Sequence, residues 1–250
     1  ELIRELFIFV KLILNSYLVL IMVISDKQYD SQFDKVANLV HYPWIGSGYA
    51  SAPKRVLIMG DSHYTIDEKT KEFCQEEYDR CISDKEYTRG IIGCEIGTPG
   101  SWSFHKYLEK TFLDEANMNV EAFWNKIASY NFIQEPMKSI HEEPSHVDYE
   151  TAWKCFADVV KIIKPNICIF IGLRNKEGIN ILDEINVKHS IRYFDTKVNN
   201  SWPIVGDLQF EDGYKLPFYM IHHTAQYYSP QEWHDFLNKE IPEVVSFLDK

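Results

Sequence analysis

Two runs of consecutive apolar residues stand out along the chain. Residues 55–59 have the sequence RVLIM, follow Pro53 and stop at Gly60. Residues 166–172 have the sequence NICIFIG and the same character. An uninterrupted apolar run of this length is typical of a strand that is buried on both faces, as in the centre of a parallel sheet. Both runs therefore predict central strands.

Helical spacing of apolar residues precedes the second of these strands. Pro165 ends the predicted helix. Its apolar positions lie mostly three or four residues apart and are Trp153, Phe156, Ala157, Val160 and Ile163. Two further helices are predicted over residues 102–112 and 120–130. The segment Ser229-Pro230-Gln231-Glu232 combines an N-cap residue, a proline at the first helical position and a glutamate at the third, so another helix begins there.

A pair of strands is predicted near the end of the chain. Residues 204–210 and 216–221 flank Asp212-Gly213, a turn signal, and the second run ends directly at His222. Strands that alternate with helices predict an α/β fold, a three-layer αβα sandwich with a mainly parallel central sheet. Such sheets bind ligands at the carboxyl ends of their strands, and Gly60 and His222 both follow such ends.

The sequence predicts one domain over residues 26–250, because no repeat, low-complexity tract or proline-rich linker divides it. Residues 1–25 form an apolar N-terminal segment. Residues 6–24 have about the length that spans a bilayer and are apolar except for Lys11, Asn15 and Ser16. A membrane anchor, a secretory signal and translated sequence upstream of Met22 are all open. The chain opens with Glu1, and no small-residue cleavage site follows Ile24, which favours an upstream appendage over a signal.

The charge balance limits the possible partners. The chain has 26 basic and 37 acidic residues, a formal net charge of −11, which excludes binding of nucleic acid by bulk electrostatics. A local basic face is still compatible with this balance, and its candidates are Arg89, Arg174 and Lys176. We expect no obligatory protein partner, and membrane contact only if residues 6–24 are a real anchor.

The cysteines indicate neither a disulfide framework nor a zinc ribbon. They are odd in number, and no two are spaced as C-x-x-C: Cys74, Cys81, Cys94, Cys155 and Cys168. We expect reduced thiols in a cytoplasmic protein. The sequence shows no recognisable ligand spacing, so we expect no metal and no other cofactor.

The richest candidate chemistry lies directly after the first predicted strand. Gly60-Asp61-Ser62-His63-Tyr64 delivers an acid, a hydroxyl, an imidazole and a phenol into one short loop. The segment His222-His223-Thr224-Ala225 follows the last predicted strand and so has the same position in the fold. The two segments are therefore predicted to form one site.

In these segments the chain resembles the uracil-DNA glycosylase superfamily. The family's first strand ends in a loop patterned like Gly-Gln-Asp-Pro-Tyr, and a late strand ends in a loop patterned like His-Pro-Ser. Residues 60–64 and 223–225 are similar to these loops, residues 129–132 are similar to the base-reading asparagine segment, and residues 164–172 are similar to the middle strand. The resemblance covers residues 44–238. It implies the fold of that superfamily and a DNA glycosylase activity, in repair or in defence against phage DNA with modified bases.

The resemblance also implies roles for individual residues. Asp61 would position water or stabilise the sugar cation, and His223 would stabilise the negative charge that leaves on the base. The residues implied to contact the flipped base and its sugar are Gly60, Ser62, His63, Tyr64, Asn131, His222 and Thr224. This inventory suits N-glycosidic cleavage, in which the sugar becomes cationic while the departing base gains negative charge. A flipped base also needs aromatic surfaces, for which the candidates are Phe73, Trp102 and Phe104.

The sequence departs from the family pattern at three places. Ser62 stands where the commonest pattern has its catalytic aspartate, His63 replaces a proline, and Thr224-Ala225 replaces Pro-Ser. These departures put ordinary uracil specificity in question. They favour a uracil-like or modified pyrimidine, including an enlarged base, as the substrate.

Two other functions compete with the glycosylase. Gly60-Asp61-Ser62 is similar to the nucleophile block of a GDSL-type esterase, with Ser62 attacking an acyl carbon and Gly172 and Asn175 lining the oxyanion hole. The aspartate expected three residues before the catalytic histidine is missing, because Tyr219 and Met220 occupy those positions. A non-catalytic binding module of the same fold is the third possibility.

Overall fold

A computed structural model of the protein describes residues 25–67, 70–116, 118–224 and 227–250. The strands in chain order are β1 (Trp44–Ile45), β2 (Val56–Gly60), β3 (Ile127–Asn131), β4 (Ile167–Ile171), β5 (Lys188–Tyr193), β6 (Ile204–Gln209) and β7 (Lys215–Ile221). The helices are α1 (Asp30–Phe33), α2 (Gln75–Ser83), α3 (Tyr87–Gly97), α4 (Ser103–Phe112), α5 (Val120–Lys126), α6 (His146–Ile163), α7 (Ile181–Glu184), α8 (Pro230–Glu240) and α9 (Pro242–Asp249), with a 3-10 helix at Leu173–Lys176. The predicted α/β class is confirmed.

The strands form one sheet in the order β1-β3-β2-β4-β7-β6-β5. The central strands β3, β2, β4 and β7 are parallel to one another. At one edge β1 is antiparallel to β3, and at the other β6 and β5 continue the sheet in antiparallel pairs. The predicted mainly parallel sheet is therefore confirmed for its four central strands, whereas the edge strands pair antiparallel. The turn at Asp212-Gly213 joins β6 and β7 as a hairpin and so makes that pair antiparallel.

Helices cover both faces of this sheet, an arrangement compatible with a three-layer sandwich. Successive side chains of a strand point to opposite faces. In β2, Leu57 and Met59 belong to the apolar cluster that includes α6, whereas Val56 and Ile58 belong to the cluster that includes α4, α5, α8 and α9. All five residues of β2 and all five of β4 are buried. This two-sided burial explains why both strands are continuous apolar runs.

The predicted helix over residues 120–130 is wrong in its second half. Helix α5 ends at Lys126, and Ile127–Asn131 is strand β3, which pairs with both β1 and β2. The apolar spacing of Phe123, Trp124, Ile127 and Ala128 fits a helix, but the last two are buried because they lie in the sheet. A strand buried on both faces has no alternation that separates it from a helix.

The other predicted helix boundaries are confirmed. Helix α6 ends at Ile163, and Lys164 has a left-handed φ of 45° before Pro165. At the start of α8 the Ser229 side chain accepts a hydrogen bond from the Glu232 backbone N–H, and Pro230 occupies the first turn. The first of these caps lies just before β4, and the second follows the loop after β7.

In the part of the chain that the structure describes, no helix combines the length and apolar character needed to cross a bilayer. The predicted apolar segment over residues 1–25 lies outside the described residues, apart from Ser25. The question of an anchor at residues 6–24 therefore stays a prediction.

Candidate active site

The carboxyl ends of the four parallel strands meet at one edge of the sheet, called the carboxyl edge below. Gly60 at the end of β2 lies opposite Asn131 at the end of β3. Ile171 at the end of β4 lies opposite Ile221 at the end of β7. The loops after β2 and β7, which carry the predicted site residues, therefore leave the sheet at the same edge. Open α/β sheets bind ligands there.

Gly60, Asn131 and His223 meet around one phenyl ring. A Cβ atom on Gly60 would lie 2.0 Å from Asn131 Oδ1 and 3.5 Å from Phe104 Cζ. The absence of a side chain at Gly60 thus leaves room for the Asn131 amide over the end of β2. The Phe104 ring in turn packs against His223, with ring centroids 5.7 Å apart. Helix α4 thereby brings an aromatic surface to the point where β2, β3 and β7 end.

The loop after β2 is held by backbone hydrogen bonds to the segment after β3. Ile133 N–H donates to the Asp61 carbonyl at 2.9 Å, and Met137 N–H donates to the His63 carbonyl at 2.7 Å. Thr65 N–H donates back to the Met137 carbonyl at 2.9 Å. The parallel pairing of β2 and β3 thus continues past the sheet and fixes the backbone that carries the side chains of the site.

Asp61 places a desolvated carboxyl group at this edge. Its Oδ1 atom is buried, and none of the described residues hydrogen-bonds it. Burial raises the pKa of Asp61 to about 6, and the charge of Arg174 acts in the opposite direction. A buried carboxylate without donors is costly to ionise. Perturbed acids of this kind cluster at functional sites.

Arg174 is electrostatically coupled to both predicted catalytic residues. It lies in the 3-10 helix after β4, is largely exposed, and forms an ion pair with Glu143 at 2.7 Å. Its charge lowers the pKa of Asp61 and also that of His223. One guanidinium therefore acts on the loops after β2 and β7.

His223 is held as a neutral imidazole. Burial lowers its pKa to about 4, and the charges of His222 and Arg174 contribute in the same direction. A neutral imidazole still carries one N–H and donates a hydrogen bond without itself being charged. Next to it, His222 Nδ1 lies 3.1 Å from the Ser201 hydroxyl, which orients that ring.

Two further buried polar side chains at the carboxyl edge lack protein partners among the described residues. Both amide atoms of Asn175 are unpaired although the residue is fully buried, and Thr224 Oγ1 is buried and unpaired as well. Most buried polar groups in proteins are hydrogen-bonded, so such groups call for an explanation. The sequence signal for Asn175 was its place three residues after the glycine that ends a buried strand. Only the esterase hypothesis used it.

Ser62 does not form the nucleophile–base pair that an esterase needs. Its hydroxyl is not hydrogen-bonded to an imidazole of any described residue. It lies instead close enough to Tyr64 to affect that phenol: burial raises the pKa of Tyr64, Asp61 raises it further, and the Ser62 side chain lowers it. The esterase arrangement is therefore not assembled in this structure.

The contacts of His63 among the described residues are with helix α3 and His41, not with Phe104 or His223. Its Nε2 atom lies 2.8 Å from the Thr88 hydroxyl of α3, and its ring packs edge-on against His41 and Tyr87. Burial lowers the pKa of His63 well below its usual range, and the charges of His41 and His105 add to this. A substrate-contacting role for His63 stays a prediction, whereas Tyr64 is exposed at the rim of the edge.

Of the predicted basic residues, Arg89 is wrong as a DNA-facing group. It is 4% exposed and pairs with Asp30 at 2.7 Å and with Glu86 at 3.0 Å. Two carboxylates and the Pro43 carbonyl compensate its burial, so it is a structural cation. The sequence alone did not reveal that Arg89 is buried, because a charged residue in a helix usually faces solvent.

The three predicted stacking residues have different surroundings. Phe104 lies in the candidate site, as described above. Trp102 packs edge-on against His105, with centroids 5.9 Å apart. Phe73 is 41% exposed and packs against Tyr78.

The five cysteines all lie in the described part of the chain and are free thiols. Among the described residues no group of three or more histidine, cysteine or carboxylate side chains is arranged to hold a metal ion. A cavity of about 520 Å³ lies between the start of β5 and the end of β6, at the opposite edge of the sheet. It is lined by none of the predicted site residues.

Asp61 and His223 thus lie at one edge of the sheet, feel the charge of the same arginine and are both largely desolvated, and Asn131 lies next to Gly60 at that edge. Ala225, the last residue of the second motif, lies outside the described residues. No family model and no curated protein sequence matches this chain, so the comparisons assign it to no family.

Proposed function

We propose that the protein is a DNA glycosylase that hydrolyses the N-glycosidic bond of a flipped uracil-like or modified pyrimidine base, with a fold like that of the uracil-DNA glycosylase superfamily. One observation carries the proposal. The largely desolvated carboxyl group of Asp61, whose buried Oδ1 atom has no donor among the described residues, shares the carboxyl edge with the neutral imidazole of His223 and the amide of Asn131. The α/β sheet with helices on both faces is compatible with that fold.

The proposed reaction separates charge across one bond. The bond between the sugar C1′ and the base nitrogen breaks, and its electron pair leaves with the base. The Asp61 carboxylate stabilises the sugar cation and accepts a proton from the water whose oxygen bonds to C1′. His223 donates its N–H to the base as negative charge develops there. Asn131 offers one donor and one acceptor to the base edge.

The environment of each group suits its role. Asp61 must be ionised, and its raised pKa of about 6 leaves it charged near neutral pH. His223 must donate a hydrogen bond to the base while it is itself uncharged. Its pKa of about 4 keeps the imidazole neutral near neutral pH. In a desolvated site, fixed charges and dipoles act more strongly than in water. Phe104, between Gly60 and His223, is the surface against which the flipped base would stack.

The substrate is proposed to be a modified rather than an ordinary pyrimidine. Tyr64 limits the space beside the base in this proposal, and it is 36% exposed at the rim. Ser62 and His63 replace the residues of the commonest family loop. A role in repair and a role in defence against phage DNA both follow from such a specificity.

A panel assay tests this function. The protein is incubated with oligonucleotides that contain uracil or one of several modified cytosines, and abasic sites are revealed by alkaline cleavage. We expect cleavage at one class of modified base and a much slower reaction at uracil. No release from any member of a broad panel would overturn the glycosylase and favour a binding module.

A further inference from the structure

The most exposed aromatic rings of the described residues all lie at the carboxyl edge. They form what is called the aromatic rim below: Tyr64, Phe73, Tyr193, Trp202 and Tyr227. Tyr193 is 53% exposed, Trp202 is 47% exposed and Tyr227 is 89% exposed. Large apolar groups that collect at one end of a soluble domain mark a binding surface more often than scattered ones do.

The sheet register places two of these rings at the carboxyl edge. Tyr193 lies opposite Ile204, and Ile204 lies opposite Met220, next to the end of β7. Trp202 precedes β6 by two residues, and the neighbouring Ser201 contacts the His222 ring. The antiparallel edge strands therefore bring their rings to the same side as the candidate site.

The remaining rings lie in the site loops or next to them. Tyr64 follows Asp61 by three residues and forms a parallel bridge with Met137 beyond the sheet. Phe73 belongs to the same loop, where it forms an antiparallel bridge with Ile66. Tyr227 follows the loop after β7 and has a left-handed φ of 64°.

Three of the rim rings carry a lysine. The Nζ atom of Lys197 is 5.3 Å from the Trp202 ring centroid and that of Lys176 is 5.4 Å from Tyr193. The Nζ atom of Lys138 is 5.9 Å from Phe73 and 4.9 Å from the neighbouring Tyr78 ring. None of these lysines forms an ion pair with a described carboxylate. Their positive charges remain available to an anionic ligand, on a protein whose formal net charge is −11.

We infer that the aromatic rim binds single-stranded DNA. Exposed rings stack on the faces of unpaired bases, and a cation beside each ring neutralises a phosphate; this combination is how sequence-tolerant single-strand binding works. In a duplex the base faces are hidden in the stack, so these rings would gain little from it. The inference deepens the proposed function by naming the form of the DNA, and in that sense rests on it.

The test measures binding of an unmodified single-stranded oligonucleotide of mixed sequence, by fluorescence anisotropy at low salt. Trp202→Leu should weaken binding about tenfold, whereas Trp202→Phe should retain most of the affinity because it keeps a stacking surface. Lys197→Ala should weaken binding and reduce the slope of log K against log salt by about 0.7, the value for one phosphate contact on a single strand. Lys215→Ala, at the opposite edge of the sheet, is the matched control and should change neither quantity.

Thermal unfolding of each variant checks that the fold is kept. We expect it to be kept, because Trp202 and Lys197 are both exposed. Absence of binding to the single strand, tighter binding to the matching duplex, or equal affinities for wild type, Trp202→Leu and Lys197→Ala would each overturn the inference. Because the oligonucleotide has no modified base, this outcome is independent of catalysis. If the rim binds the single strand but no base is released from any substrate, the inference about the rim stands and the proposed glycosylase function is rejected.

Discussion

The amino edge of the sheet, where β4 and β7 begin, is closed by hydrogen bonds. Asn166 Oδ1 accepts from the Arg55 backbone N–H at 2.8 Å, and the Tyr214 hydroxyl donates to the Pro165 carbonyl at 2.5 Å. Lys164 pairs with Asp212 at 2.7 Å. At the carboxyl edge of the same strands, Asp61, Asn175 and Thr224 keep buried polar atoms without partners among the described residues.

The two edges of these strands therefore differ in how many buried polar atoms have hydrogen-bond partners among the described residues. Each buried polar group left without a partner costs about 1–3 kcal/mol. The contrast concerns the two ends of β4 and β7, because at the start of β5 the buried His189 Nδ1 also lacks a hydrogen bond and lies 3.4 Å from an Asp183 carboxylate oxygen. Local violations of this kind are expected where function is under selection.

The largest expected effect is on base release. Asp61→Asn should lower single-turnover release about 100-fold or more, because it removes the charge that faces the sugar cation in the proposed reaction. DNA binding should be nearly unchanged. Ser62→Ala should have a much milder effect. The measurement is release from the best substrate of the panel under enzyme excess.

The reverse order would identify an esterase. If Ser62→Ala abolishes turnover of an ester substrate that shows an acyl-enzyme burst, and Asp61→Asn leaves turnover largely intact, the glycosylase is rejected. Asp212→Asn is the control at the amino edge. It removes a carboxylate from an exposed ion pair and should leave release unchanged.

The next effect is a pH dependence. Burial raises the pKa of Asp61 to about 6, and the reactive form is the ionised one, so release should fall about tenfold for each pH unit below that value. The pKa of His223 is lowered to about 4, so protonation of His223 should cause no further fall in release until the pH is well below the pKa of Asp61. The profile of kcat/KM against pH measures this. A flat profile between pH 5 and 8 would contradict the assignment of Asp61.

A smaller expected effect is on the free energy of unfolding, which should respond differently to a substitution at each edge. Tyr214→Phe removes the donor to the Pro165 carbonyl and should lower the free energy of unfolding by about 1–2 kcal/mol. Thr224→Val replaces an unpaired buried hydroxyl by a methyl group of similar shape, and should leave the free energy unchanged or raise it by up to about 1 kcal/mol. Urea unfolding measures both. A larger loss for Thr224→Val than for Tyr214→Phe would mean that the carboxyl edge is also built for stability.

The sequence predicted the parts of the fold whose signal is local. Strands β2 and β4 are continuous apolar runs, and the caps of α6 and α8 are set by Pro165 and Ser229. Helix α3 was not predicted, because three glycines at positions 90, 93 and 97 hide its helical character. Strand β3 was taken for helix because its apolar residues continue the spacing of α5.

The candidate site was predictable in position but not in orientation. Gly60, Asp61 and His223 could be placed at one edge because they follow buried strands. The direction of the His63 ring depends on Thr88 and Tyr87 in a helix that the sequence did not reveal. Likewise, the burial of Arg89 depends on Asp30, which is 59 residues away.

The most direct test of the account measures stability and base release on the same preparation of Asp61→Asn. The folded-state pKa of Asp61 is raised from 3.8 to about 6, so its ionisation opposes folding increasingly as the pH rises through that interval. After allowance for its partial exposure to solvent, the neutral asparagine should raise the free energy of unfolding near neutral pH by about 1–2 kcal/mol. We predict this gain together with the loss of base release. A variant that loses stability, or that keeps wild-type release, would contradict the claim that the carboxyl edge is held unsatisfied for catalysis.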